Sequence, residues 1–143
     1  MIKTKGLNFK YNNQASFDFP DIKLGKDENL LIIGSSGIGK TTLLHLLAGL
    51  LECNSGSISI YGQDISKLTQ YQIDKFRGQN IGIVFQKPHF VNSLTVKENL
   101  QLAQYLGNKA DRNRIVDILS SLDILDKENQ KPKKLSQGEK QRA

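Results

Sequence analysis

One cysteine, Cys53, leaves no partner for an internal disulfide, and no stretch of the 143 residues is apolar for long enough to cross a bilayer. The longest apolar run, Leu43 to Leu51, is interrupted by His45 and falls well short of the ~20 residues a spanning helix needs. The first residues, MIKTKGLNF, have no apolar core of the kind a secretory signal carries, which sets the expectation of a cytoplasmic chain. Aromatic rings are missing where they would matter for nucleic acid. Lys127, Lys131, Lys133, Lys134, Lys140 and Arg142 crowd the end of the chain with no ring interleaved for base stacking, so the net charge of +6 reads as a solvated surface, not a nucleic-acid footprint. No NKxD-like guanine motif occurs, which argues against a GTPase. Apolar residues at 38% and charged residues at 24% exclude disorder, and the length suits one domain with a real core.

Against these absences stands Gly34 to Thr42, GSSGIGKTT, between the apolar runs Leu30–Ile33 and Leu43–Leu51. The spacing Gly34, Gly39, Lys40, Thr41 fits GxxxxGK[ST] in its required strand–loop–helix context. Each residue has a chemical reason. Glycines at 34, 37 and 39 allow backbone angles and close approaches that let several N–H groups, including those of Ser35 and Ile38, converge on one polyphosphate. Lys40 adds a full positive charge towards the β- and γ-phosphates. The Thr41 hydroxyl is placed to ligate Mg²⁺, and Thr42 to touch the α-phosphate side.

Upstream, IKTKGLNF (2–9) and ASFDF (15–19) alternate loosely around Asn12, Asn13 and Gln14, which predicts a β-hairpin with Tyr11 at its tip. Tyr11 has two readings, a purine-stacking ring or an ordinary turn tyrosine. Asp27 and Glu28 are expected to open a central buried strand, Asn29 to Ile33, and a helix is expected from Lys40 to about Leu51. SISIY, Ser57 to Tyr61, alternates as a half-buried strand. Thr69 and Gln72 have capping-box spacing before a helix with Ile73 and Phe76 inward. Ile81 to Phe85 is expected to be a second buried strand that delivers Gln86 to its carboxyl end, either towards Mg²⁺ and an attacking water or as a plain strand terminator before Lys87 and Pro88. Beyond it, Thr95 with Glu98 caps a helix to about Leu106 carrying Val96, Leu100 and Ala103 on one side. Asp111 caps another to about Leu122, with Ile115, Ile118, Leu119 and Leu122 at helical spacing. Ser136 with Glu139 caps a last one, near whose start Gly138 leaves bare backbone.

GSSGIGKTT, Gln86 directly after IGIVF, and LSQGE, in that order, resemble the nucleotide-binding subunit of an ATP-binding-cassette transporter. GQDISKL, FRGQNIGIVFQ and SLTVKENL further resemble its lipoprotein-releasing and macrolide-exporting branch. The resemblance implies an α/β fold: an incomplete P-loop NTPase core with an N-terminal antiparallel β subdomain over residues 1–86, and a small helical subdomain over 87–143. It implies ATP and Mg²⁺ as cofactors, with Tyr11 at the adenine and Lys40 and Gln86 in the catalytic role. It also implies a second nucleotide-binding subunit whose Ser136, Gln137, Gly138 and Glu139 would reach the γ-phosphate in trans, Gln137 standing where a glycine is commonest. Membrane-spanning permease subunits would be the partners, His89 to Thr95 the candidate coupling contacts, and the inner face of the membrane the location.

The same resemblance calls for an apolar strand ending in Asp and Glu after the LSQGE motif, and then a switch histidine. Neither follows Gln86, and His45 and His89 fall on a helix face and in a loop. The expectation is the N-terminal part of a cassette, unable to hydrolyse ATP alone because general-base help is worth about 10²- to 10⁴-fold. The alternative is a natural ATP-binding module without turnover. Another P-loop enzyme such as a kinase would leave LSQGE a coincidence, and soluble family members acting in translation or DNA repair fit the exporter-like stretches less well.

Overall fold

The computed structural model describes residues 1–12 and 16–143, the side chain of Arg112 excepted; Asn13, Gln14 and Ala15, part of the expected hairpin, lie outside the described residues. The chain divides into two compact units, Met1–Asp74 and Lys75–Ala143.

The first unit is an antiparallel sheet built by alternation. β1 (Ile2–Lys10) pairs with β2 (Ser16–Asp18), Phe9 opposite Phe17, as the hairpin reading expects. It also pairs with β3 (Lys23–Leu24) and with β4 (Ser55–Ile60), which pairs in turn with β5 (Gln63–Asp64). The register of β1 on β4 shifts between Lys5 and Asn8. Gly6 takes φ 55° there, and Gly56 lies so close beneath it that a Cβ would strike the Gly6 carbonyl. Leu7, Phe9, Ile58 and Ile60 face inward with Leu43 and Leu46 of α1 (Lys40–Leu47), and burying each such side chain contributes about 1.5–3 kcal/mol.

Helix α1 ends four residues sooner than the apolar run suggests. Gly49 takes φ 64°, and a Cβ there would lie 2.8 Å from Ile73 Cδ1, so the chain reverses where only glycine fits. Tyr61 and Gly62, both at positive φ, make the turn after β4. A 3₁₀ turn, Ile65–Lys67, is capped by Asp64, whose carboxylate accepts from the Ser66 N–H and hydroxyl. Those bonds, with Lys67 at 3.3 Å, hold the Asp64 carboxyl below its ordinary value. Thr69 and Gln72 exchange the expected capping bonds at the start of α2 (Gln70–Asn80), inside which the unit boundary falls; Ile73 is buried and Phe76 half-buried.

The second unit is helical, with no strand among its described residues. α3 (Val96–Leu106), α4 (Arg112–Ser121) and α5 (Gln137–Arg142) follow the expected caps at Thr95, Asp111 and Ser136. Val96, Ile115, Leu119, Ile124 and Leu135 form its core, with Leu100 against it. Two inward assignments fail: Ala103 and Leu122 are exposed, and Ile124, after the turn at Asp123 (φ 56°), is in the core. The backbones of α2 and α3 meet at glycines, a Cβ on Gly78 lying 2.9 Å from the Leu106 carbonyl oxygen and one on Gly107 2.8 Å from that of Gly78. Among the described residues no helix is long and apolar enough to cross a membrane.

Both expected central strands are absent as strands. Asn29–Ile33 and Ile81–Phe85 join no ladder, and Leu31, Ile33 and Val84 are 80%, 83% and 94% exposed. A strand apolar on both faces needs a neighbour along each edge and cover on each face, and among the described residues no segment pairs with either. Glu28 also does not open a strand; its carboxylate accepts from the Gly25 N–H at 2.6 Å and closes a turn. Replacing Leu31 and Ile33 by lysine should therefore shift folding stability by no more than about 0.5 kcal/mol each while lowering self-association. Urea titration and sedimentation velocity of the double variant check both halves, and a large loss of stability would contradict the exposure.

Candidate functional site

Within the first unit the sheet and the phosphate loop meet through aromatic rings. Phe9 packs edge-on to Tyr11 at 4.6 Å, Tyr11 edge-on to Phe17 at 6.3 Å, and Phe17 stacks with Phe19 at 6.2 Å. Against Phe17 and Phe19 lies the backbone of Gly39: a Cβ there would sit 2.8 Å from Phe17 Cδ1 and 3.3 Å from Phe19. Gly39 also has φ 98° and Gly37 φ 84°, so glycine is required at 39 for space and angle together, and at 37 for angle alone. Gly34 needs neither positive φ nor a long clearance; its absent Cβ would lie 3.1 Å from Ile38 Cγ2. Phe17 and Phe19 were missing from the sequence reading as site residues, although the alternation of SFDF signals that both point the same way.

The turn from Gly34 to Gly39 leads into α1 with Gly39 as its N-cap, which supplies no side-chain hydrogen bond, and no acidic residue stands in the first turn. The other helices set carboxylates, hydroxyls or amides at that place: Thr69 and Gln72, Thr95 and Glu98, Asp111, Ser136 and Glu139. Helix N-termini carry free N–H donors and about half a positive charge, so an uncapped one fits an anion. Lys40 donates from Nζ to the carbonyls of Gly34 at 2.8 Å and Ser35 at 2.7 Å, drawing the loop across its own mouth. Thr41 is exposed, whereas Thr42 is buried with its hydroxyl 3.3 Å from that of Tyr11. Tyr11 is 39% exposed and so keeps an accessible edge. The donor set of glycine N–H groups, an ammonium and an exposed hydroxyl suits a polyphosphate with a small hard cation. Among the described residues no group of three His, Cys, Asp or Glu side chains is placed to hold a metal by itself.

In the second unit Gln86 is exposed at the end of the unpaired Ile81–Phe85 stretch, followed by His89 edge-on to Phe85 at 5.0 Å. The LSQGE segment forms a complete capping box: Glu139 N–H donates to Ser136 Oγ at 3.2 Å and Ser136 N–H to Glu139 Oε2 at 2.7 Å. The Ser136 N–H, then its hydroxyl, hold the Glu139 carboxyl below its ordinary value of 4.5, and Thr95 does the same for Glu98. Leu135 anchors the segment in the core, and Lys127 reaches Asp126 at 2.8 Å and Glu139 at 3.7 Å.

A sheet-backed phosphate loop in one unit and a helical second unit that ends in LSQGE are the parts of an ATP-binding cassette. The family model described as ABC transporter matches residues 18–143, and the chain belongs to that family. It is 33% identical to the lipoprotein-releasing system ATP-binding protein LolD of Bacteroides thetaiotaomicron, over 99% of this chain and 66% of that protein. It is 34% identical to the bacitracin export ATP-binding protein BceA of Halalkalibacterium halodurans, over 97% of this chain and 56% of that protein. Its fold is similar to the dimeric post-hydrolysis state of the ATP-binding cassette MJ0796 bound to ADP and Pi, with a TM-score of 0.89 and 26% identity over 99% of this chain and 66% of that one. The chain thus spans two thirds or less of the length of these relatives.

Two outcomes test the local geometry. Gly39→Ala combines a forbidden φ with a clash against Phe17, and should cost about 1–3 kcal/mol in chemical denaturation. On acidification the Glu139 cap behaves as a group of depressed folded pKa: its stabilisation is full above the unfolded value near 4.5 and fades as pH falls through the lower folded value. The Lys140 N–H, bonded to the Ser136 carbonyl, should then lose exchange protection in that window, and Glu139→Gln, which keeps the cap without the titration, should not.

Proposed function

We propose that this chain forms the ATP-binding part of a transporter's nucleotide-binding subunit, taking Mg-ATP at Gly34–Thr42 and driving export or lipoprotein release through membrane-spanning permease subunits. The observation that carries it is the uncapped start of α1 behind the glycine loop, beside Lys40. In this reading the N–H groups of Ser35, Gly37, Ile38 and Gly39 cradle the phosphates, Lys40 exchanges its two carbonyls for phosphate oxygens, and Thr41 with Gln86 holds Mg²⁺. Tyr11 borders the adenine and Thr42 the α-phosphate side. Bound Mg²⁺ would neutralise charge on the terminal phosphates. A second copy or homologous subunit presents its Ser136–Glu139 turn to the γ-phosphate, and the His89–Thr95 stretch meets the permease at the inner face of the membrane. The names of LolD and BceA, and the dimeric ADP-bound MJ0796, support the cofactor, the pairing and the kind of cargo.

The 143 residues hold no apolar strand ending in Asp and Glu after Gln86, so by themselves they bind ATP without appreciable turnover. Titration calorimetry with Mg-ATP decides the site: Lys40→Ala should weaken binding by about 1.5–3 kcal/mol, the worth of a charged hydrogen-bond donor. Equal binding by both chains, or none by the parent, overturns the assignment of Gly34–Thr42 for this chain.

A further inference from the structure

Away from the glycine loop, the solvent face of the sheet in the first unit carries a depression of about 500 Å³ lined by Lys3, Lys5, Lys23, Ser57, Ser59 and Asp21. The strand register assembles it. Lys3 lies directly between Ser59 on β4 and Lys23 on β3, and Lys5 lies opposite Ser57. Lys3 and Lys23 are thus like charges paired across neighbouring strands, an arrangement that works against the sheet. None of the three lysines has an ion-pair partner within 4 Å among the described residues. The single carboxylate in the lining, Asp21, is engaged with the Gly6 N–H at 2.8 Å. Burying Leu7, Ile58 and Ile60 on the opposite face needs no lysine here, so the fold does not explain the convergence.

We propose that this depression is an anion site for a phosphate-bearing ligand, separate from the glycine loop. The three ammonium groups supply charge and the Ser57 and Ser59 hydroxyls supply short neutral donors, a set suited to a compact polyanion and unsuited to a cation or an apolar group. An occupant would also remove the Lys3–Lys23 repulsion, so the site and the strand pairing favour each other once it is filled.

Amide shifts of the ¹⁵N-labelled chain, titrated with inorganic tripolyphosphate, test this residue by residue and keep the sheet apart from the glycine loop. Saturable shifts are expected at Lys3, Lys5, Lys23, Ser57 and Ser59, weakened about tenfold in Lys3→Gln/Lys23→Gln and unchanged in Lys133→Gln. Lys5→Gln serves if the double variant fails to fold. Shifts confined to Gly34–Thr42, or sheet shifts reproduced by sodium chloride at equal ionic strength, overturn the proposal. Co-sedimentation with phosphatidylglycerol vesicles that the double substitution abolishes assigns the phosphate to a lipid headgroup. Titration by tripolyphosphate without co-sedimentation assigns it to a soluble ligand, and failure of both overturns it.

Discussion

The contact between Gly39 and the rings of Phe17 and Phe19 fixes where the phosphate loop can be. It joins the only backbone in the loop that needs both a left-handed angle and a missing side chain to the strand pair with which the chain begins. β1 is held along both edges, by β2 and β3 on one side and β4 on the other, so the rings stand on a well-paired base. The Tyr11–Thr42 contact adds a second tie one turn further along α1. The helix side of the loop is therefore positioned by the antiparallel sheet and not by the apolar run that precedes it.

Helix starts elsewhere in the chain show what that run of bare N–H groups means. Thr95 with Glu98 and Ser136 with Glu139 satisfy their own first turns, with carboxylates whose charge the helix dipole favours. At α5 such a turn leaves the backbone N–H groups of Gln137 and Gly138, not its cap side chains, to face an anion. α1 withholds every such side chain. The second unit uses its caps structurally: the Lys97–Glu128 pair at 2.9 Å, together with bonds from the N–H groups of Val96 and Lys97 to the carbonyls of Gln130 and Glu128, pins the segment before LSQGE to the start of α3.

What the sequence made legible was local. Capping boxes, the hairpin and the strand alternation of SISIY depend on residues three apart, two apart or facing across a short turn, and each appears as read. The family was legible because three motifs occur in one order. The two misread strands share one cause. Leu30–Ile33 and Ile81–Phe85 carry the composition of buried strands, but a parallel strand's pairing is supplied by distant chain, and composition says nothing of whether that chain is present. The early end of α1 was likewise set by Ile73, more than twenty residues beyond Gly49. The Lys3–Lys23 pairing was hidden for the same reason, since only the register of β3 on β1 places them together.

With the preceding run unpaired, the two arms of the phosphate loop rest on different supports. The α1 arm is held by rings and by Thr42; the Gly34–Ser35 arm is held by Lys40, whose ammonium donates to both of its carbonyls. Each such charged bond is worth about 1.5–3 kcal/mol when buried and much less in the exposed setting found here. In the proposed reading, a phosphate that draws Lys40 away displaces two exposed bonds to neutral carbonyls and supplies a charged acceptor in their place. Without those two bonds the Gly34–Ser35 arm has no side-chain tie of its own among the described residues. One lysine therefore holds the arm of the loop that the sheet does not reach.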